Sequence, residues 1–117
     1  MNTKIKKIFN NIFRISKNRS FSDISYLKIK KILNENTNSV LLDVRSKQEY
    51  KEYHLDGAIN IPIYDLEENI QNIIPNKTTL IAVYCQSGAR SKRASKILSD
   101  IGYNKIYNLE GGINSII

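Results

Sequence analysis

The stretch Leu80-Ile81-Ala82-Val83-Tyr84-Cys85-Gln86-Ser87-Gly88-Ala89-Arg90-Ser91 decides the fold. An apolar run, a glycine-containing loop and then helical spacing at Ala94, Ile97, Leu98 and Ile101 read as strand, tight turn and helix. A loop that turns the chain back on itself points successive backbone N–H groups inward and adds them to the positive end of the following helix. A thiol held there ionises easily, and a partly exposed cysteine of low pKa is a nucleophile, whereas one buried in apolar surroundings is inert. Gly88 suits the turn because it takes positive φ without a Cβ clash. Cys85 is therefore expected at the surface of a site.

Working outward, the chain alternates strand and helix signals. Ser25 caps a helix to about Leu33, with Tyr26, Ile29 and Leu33 on one face, and residues 34–38 break it. Val40-Leu41-Leu42 is a short apolar run ending in Asp43, as expected of a strand buried on both faces. Ser46 and Glu49 have capping-box spacing and predict a short helix that turns Tyr50 and Tyr53 inward. Residues 57–62 form a turn into a short strand limited by Pro62. Asp65 is a second N-cap, for a helix with Leu66, Ile70 and Ile73 on its face and Pro75 as its stop. Residues 78–84 form the best strand and are expected to be central, Gly102 sits at a helix C′ position, and residues 105–109 give a last strand.

This order predicts an α/β fold: a small, mostly parallel sheet with helices on both faces, reached by right-handed crossovers. In such sheets the site lies outside the carboxyl ends of the strands, where Asp43 and Cys85 both stand.

At 117 residues the chain makes one domain, and its net charge of +7 is unevenly placed. Lys4, Lys6, Lys7, Arg14, Lys17 and Arg19 contribute +6 before the first acid, Asp23, which leaves +1 for the remainder. The chain thus divides into a basic segment, residues 1–20, and a nearly neutral domain, residues 21–117, an argument against nucleic acid as the partner. Ile5, Ile8, Phe9, Ile12 and Phe13 lie on one helical face among lysines, so residues 1–19 could make weak contact with an anionic membrane surface. The plainer expectation is that this face packs on its own domain or a twin subunit. No apolar run approaches the roughly 20 residues of a membrane span, and no signal-peptide core interrupts this pattern, which makes the cytoplasm the expected address. Cys85 is the only cysteine, so no intramolecular disulfide, cysteine-rich metal site, metal or organic cofactor is implied. Any sulfur placed on Cys85 must leave to another molecule.

Cys-X-X-Gly-X-Arg-Ser after a buried strand resembles the active-site loop of single-domain rhodaneses, sulfurtransferases that carry sulfur as a cysteine persulfide. Tyr50-Lys51-Glu52-Tyr53-His54-Leu55-Asp56-Gly57-Ala58-Ile59-Asn60-Ile61-Pro62 is similar to a second family block, with Asp56 where proline is usual. Leu42-Asp43-Val44-Arg45 and Leu109-Glu110-Gly111-Gly112-Ile113 resemble two more, in the right order, so the likeness covers about residues 21 to 115. Near the end, Asn114-Ser115-Ile116-Ile117 lacks the usual tryptophan.

The resemblance implies that Cys85 is the catalytic nucleophile and that Gln86, Ser87, Gly88, Ala89 and Arg90 form the substrate-binding loop, with Asp43, Arg45 and Glu110 in support. It also implies a small sulfur-containing anion such as thiosulfate, or a persulfide, as donor, and a thiol or protein cysteine as acceptor. The planar fork of Arg90 is suited to an anionic sulfonyl or carboxylate group, or to holding the loop by pairing with Asp43 or Glu110. Asp43 reads as a loop anchor, His54 as structural, and Lys92 and Arg93 as general attraction for anions or a solvated face. Four residues separate Cys85 from Arg90, one fewer than in related phosphatases, so the ring suits sulfur better than a tetrahedral oxyanion. The alternative is a non-enzymatic rhodanese-like module that binds a protein or senses sulfide.

Overall fold

A computed structural model describes residues 21–117. The amphipathic pattern of residues 5–13, and with it the membrane-contact expectation, lies outside the described residues. Five strands form one parallel sheet: β1 (Phe21–Ile24), β2 (Ser39–Asp43), β3 (Ile59–Asn60), β4 (Leu80–Tyr84) and β5 (Ile106–Leu109), in the order β1-β5-β4-β2-β3. The helices are α1 (Tyr26–Glu35), α2 (Lys47–Glu52), α3 (Leu66–Ile73) and α4 (Ala89–Ile101). Short 3₁₀ turns occupy Ile63–Asp65 and Ile113–Ser115.

β4 is central and every residue in it is buried, as its unbroken apolar run predicts. Period-two alternation divides the core. Leu42, Val44, Ile81, Val83, Cys85 and Ile106 pack with Leu66 and Ile70 of α3 and Ala94 and Leu98 of α4. Leu41, Ala82, Tyr84 and Leu109 pack on the other side with Ile29 of α1, Leu55 and Ile113. The helices therefore lie on both faces. Tyr103 closes the α3 end by donating its hydroxyl to the carbonyl of Ile74.

Several boundaries differ from the sequence reading for local physical reasons. β1 has no counterpart there: Phe-Ser-Asp-Ile carries two exposed polar residues, and it forms by pairing with β5 at the edge of the sheet. The Asp65 side chain caps nothing, because a 3₁₀ turn through Ile63–Asp65 leads directly into α3. Ile73 is half exposed at the last position of α3, and Tyr53, at the C-cap of α2, is also largely exposed. Ser25 and the Ser46–Glu49 capping box form as their spacing predicts, and Gly102 ends α4 at φ 120°.

Topology places the site. The chain leaves β2 toward β3 on one side and leaves β4 toward β5 on the other, so the switch point lies between the carboxyl ends of β2 and β4. Asp43 and Tyr84 are register partners there, and Arg45 and Cys85 follow just beyond. No helix among the described residues is long and apolar enough to cross a membrane.

Candidate active site

Cys85 follows directly on β4 and turns its sulfur into the loop it opens. The Gly88 N–H donates to Sγ at 3.1 Å and the Ser91 N–H at 3.3 Å, with Ser91 Oγ at 3.4 Å. Gly88 holds φ 106° at the N-cap of α4, the left-handed geometry expected of it. Contrary to the expectation of surface placement, Cys85 is 1% exposed: it belongs to the core cluster with Leu42, Val44 and Ala94, and its own loop wraps the sulfur. Burial opposes ionisation of the thiol, yet donors from the Ser91 side chain and from the Ser91, Gly88 and Ser87 N–H groups outweigh it, and the pKa falls below its ordinary value.

The loop is held from outside by its carbonyls. The Ile113 N–H donates to the Cys85 carbonyl and the Asn114 N–H to the Gln86 carbonyl, both at 3.0 Å. Gly112 makes this approach possible: a Cβ there would lie 2.5 Å from each of those two carbonyl oxygens. Gly112, in the segment that follows β5 and closes against the loop, thus packs directly on the loop backbone. Glu110 is exposed, and its backbone N–H donates to the Ile24 carbonyl, tying the closing segment to β1.

Asp43 and Arg45 form a buried pair, with side chains 0% and 4% exposed. Asp43 Oδ2 accepts from Arg45 Nη2 at 2.8 Å, and Oδ1 from the Arg45 backbone N–H at 2.8 Å and from Nε at 3.1 Å. Arg45 spends its other donors on the Tyr53 carbonyl and on Gln86 Oε1, and Gln86 Nε2 donates to Asn114 Oδ1 at 2.7 Å. Asp43 therefore reaches the loop through Arg45. Gln86 is tied at both ends of its amide.

Arg90 pairs with neither Asp43 nor Glu110. Its guanidinium meets Glu49 end-on, with Nη1 to Oε1 at 2.6 Å and Nη2 to Oε2 at 3.0 Å. Glu49 also accepts from the Ser46 N–H in the capping box, and its pKa falls to about 2, chiefly through the hydrogen bond from Arg90. One acidic side chain thus caps α2 and steers the loop arginine. Sequence reasoning found the cap and missed the pair, since 41 residues separate the two. His54 stacks on Tyr50 with ring centroids 3.8 Å apart, and its Nδ1 meets the Tyr50 carbonyl, away from the sulfur. Lys92 approaches Asp23 at 3.8 Å on the exposed side of α4. Among the described residues no cluster of His, Cys, Asp or Glu could hold a metal ion.

Residues 26–117 match the rhodanese-like domain family. Thiosulfate sulfurtransferase PspE of Escherichia coli strain K12 is 40% identical over 75 residues, 64% of this chain and 71% of that protein. A tRNA uridine(34) hydroxylase of Buchnera aphidicola is 37% identical over 95 residues, 76% of this chain but only 30% of that longer protein. A solved structure of a rhodanese with anions from E. coli superimposes with a TM-score of 0.61 at 37% identity, covering 65% of this chain and 89% of that one.

Two variants check this geometry. Gly112→Ala places a Cβ against two carbonyl oxygens at φ 63°, and urea denaturation is expected to show a loss of about 3 kcal/mol or more. Because the Glu49 pKa is lowered on folding, its contribution is present above 4.5 and is lost as the pH falls through about 2. Glu49→Gln should lower stability at pH 7 by about 1 kcal/mol, reduced by solvent screening, and flatten the loss between pH 4.5 and 2.

Proposed function

The chain belongs to the rhodanese-like domain family, and on that premise we propose that it is a sulfurtransferase working through a Cys85 persulfide. The observation that carries this reading is the Cys85 sulfur itself, ringed by backbone donors at 3.1 and 3.3 Å at the end of the central strand. As thiolate, Cys85 attacks the outer sulfur of thiosulfate, the S–S bond of the donor breaks, and sulfite leaves with the electron pair. A persulfide donor delivers its outer sulfur by the same displacement, with a thiolate as leaving group.

The product, Cys85–S–S⁻, carries its charge on the outer atom. Residues 86 to 90 form the cradle for that charge. No backbone carbonyl among the described residues accepts from the N–H groups of Gln86, Ala89 or Arg90, so these donors are available to the outer sulfur in the manner of an oxyanion hole. Arg90 adds positive charge beside the thiolate while Glu49 fixes its orientation. Asp43 and Arg45 hold Gln86, and no side chain has to remove a proton from a thiol already ionised. A thiol or protein cysteine then accepts the sulfur. With a single thiol and no resolving partner, this chemistry suits a reducing compartment such as the cytoplasm.

Intact mass of the purified protein tests the reading. Incubation with thiosulfate is expected to add one sulfur atom, a thiol to remove it, and Cys85→Ser to abolish the gain. A folded protein that gains no sulfur from thiosulfate or from a persulfide donor would sink it, and a non-enzymatic module would take its place.

A further inference from the structure

Two of the polar groups around the Cys85 sulfur belong to one residue, Ser91. Its N–H lies 3.3 Å from Sγ and its Oγ 3.4 Å, and the side chain is fully buried. Ser91 Oγ is also 3.1 Å from the Gly88 carbonyl oxygen, to which it donates. A hydroxyl has one proton to give and lone pairs to receive. With Cys85 protonated, Ser91 accepts from the thiol and gives its own proton to Gly88. An ionised sulfur has no proton to offer and calls for donors. Since both acceptors lie within reach of the same oxygen, turning the O–H bond redirects the proton to Sγ while every heavy atom stays in place. The backbone donors face the sulfur in both states, and only this hydroxyl can change direction. The Ser95 hydroxyl, which donates to the Ser91 carbonyl at 2.8 Å, touches no sulfur and holds the helical turn.

Resting on the sulfurtransferase reading, we propose that Ser91 is a catalytic residue for releasing sulfur: its hydroxyl turns from the Gly88 carbonyl to Sγ as Cys85 becomes the leaving thiolate. In that step the persulfide first takes a proton from solvent, and an acceptor thiolate R–S⁻ attacks the outer sulfur of the resulting Cys85–S–SH. A new S–S bond forms, the bond between Sγ and the outer sulfur breaks, and its electron pair passes to Sγ. The proton stays on the outer sulfur, so R–S–SH departs and Cys85 remains ionised. A donor that stabilises this thiolate serves discharge without offset, because a thiol of lower pKa leaves faster. In loading, the same donor raises the thiolate fraction but lowers its nucleophilicity, so the two effects oppose.

That asymmetry gives the test. Loading by thiosulfate and discharge to a small thiol are measured separately against pH for wild type, Ser91→Ala, Ser91→Thr and Ser95→Ala, with the Cys85 pKa read from thiolate absorbance. For each unit by which Ser91→Ala raises that pKa, discharge is expected to fall about threefold, whereas loading on its alkaline plateau rises about threefold. Ser91→Thr, which retains the hydroxyl, and Ser95→Ala should stay within about twofold of wild type in both steps. Loading and discharge that move together in Ser91→Ala, or an unchanged pKa, would overturn the proposal, as would a folded Ser91→Thr that loses discharge alone. A wild-type chain that takes up no sulfur overturns the underlying reading, and the absorbance titration still reports separately on the hydroxyl.

Discussion

Two backbone hydrogen bonds govern the site: Ile113 N–H to the Cys85 carbonyl and Asn114 N–H to the Gln86 carbonyl. A planar trans peptide sets its C=O and N–H on opposite sides, so fixing these carbonyls toward the closing segment turns the following N–H groups toward the sulfur. Of these, the Ser87 N–H joins the larger contributors, the Ser91 hydroxyl and the Ser91 and Gly88 N–H groups, in lowering the thiol pKa against the cost of burial. Gly112 is the residue that permits it, and the parallel pairing of β5 with β4 brings Gly112 to the right height.

The opposite wall is set by a buried charge pair. An ion pair removed from water gains stability only when its remaining donors and acceptors are satisfied. Arg45 meets that condition through Asp43, the Tyr53 carbonyl and Gln86, while the Asn60 side chain donates to the backbone carbonyls of both Asp43 and Arg45. The network therefore reads as a positioning device that joins β2, the end of α2 and the loop. Its reach to Asn114 through Gln86 links it to the same closing segment. Glu49 and Arg90 form the more exposed counterpart on the rim, where solvent weakens the attraction but leaves the bidentate geometry.

Much of this was legible because it is local. The run from Leu80 to Ser91 specifies strand, turn and helix within a dozen residues, and Ser46 with Glu49 specifies a helix start within four. The alternation of elements then fixes a parallel sheet and puts Asp43 beside Cys85 by topology. What escaped is non-local. β1 exists because Phe21–Ile24 pairs with β5 far along the chain, and its half-exposed sequence carries no strand pattern of its own. The Glu49–Arg90 pair and the double tie on Gln86 join distant segments by side chains whose types suit many partners. The burial of Cys85 was missed for a similar reason: Leu42, Val44 and Ala94, from separate elements, share its core cluster beneath a loop that, read alone, looks open.

The most direct test of the account is the atomic-resolution structure of crystals soaked in thiosulfate, read at Cys85. The account predicts one additional sulfur bonded to Sγ, within hydrogen-bond reach of the N–H groups of residues 86 to 90, with the carbonyls of Cys85 and Gln86 still bound to Ile113 and Asn114. A bare Sγ in protein whose mass shows no added sulfur, or an outer sulfur directed away from those N–H groups, would contradict it.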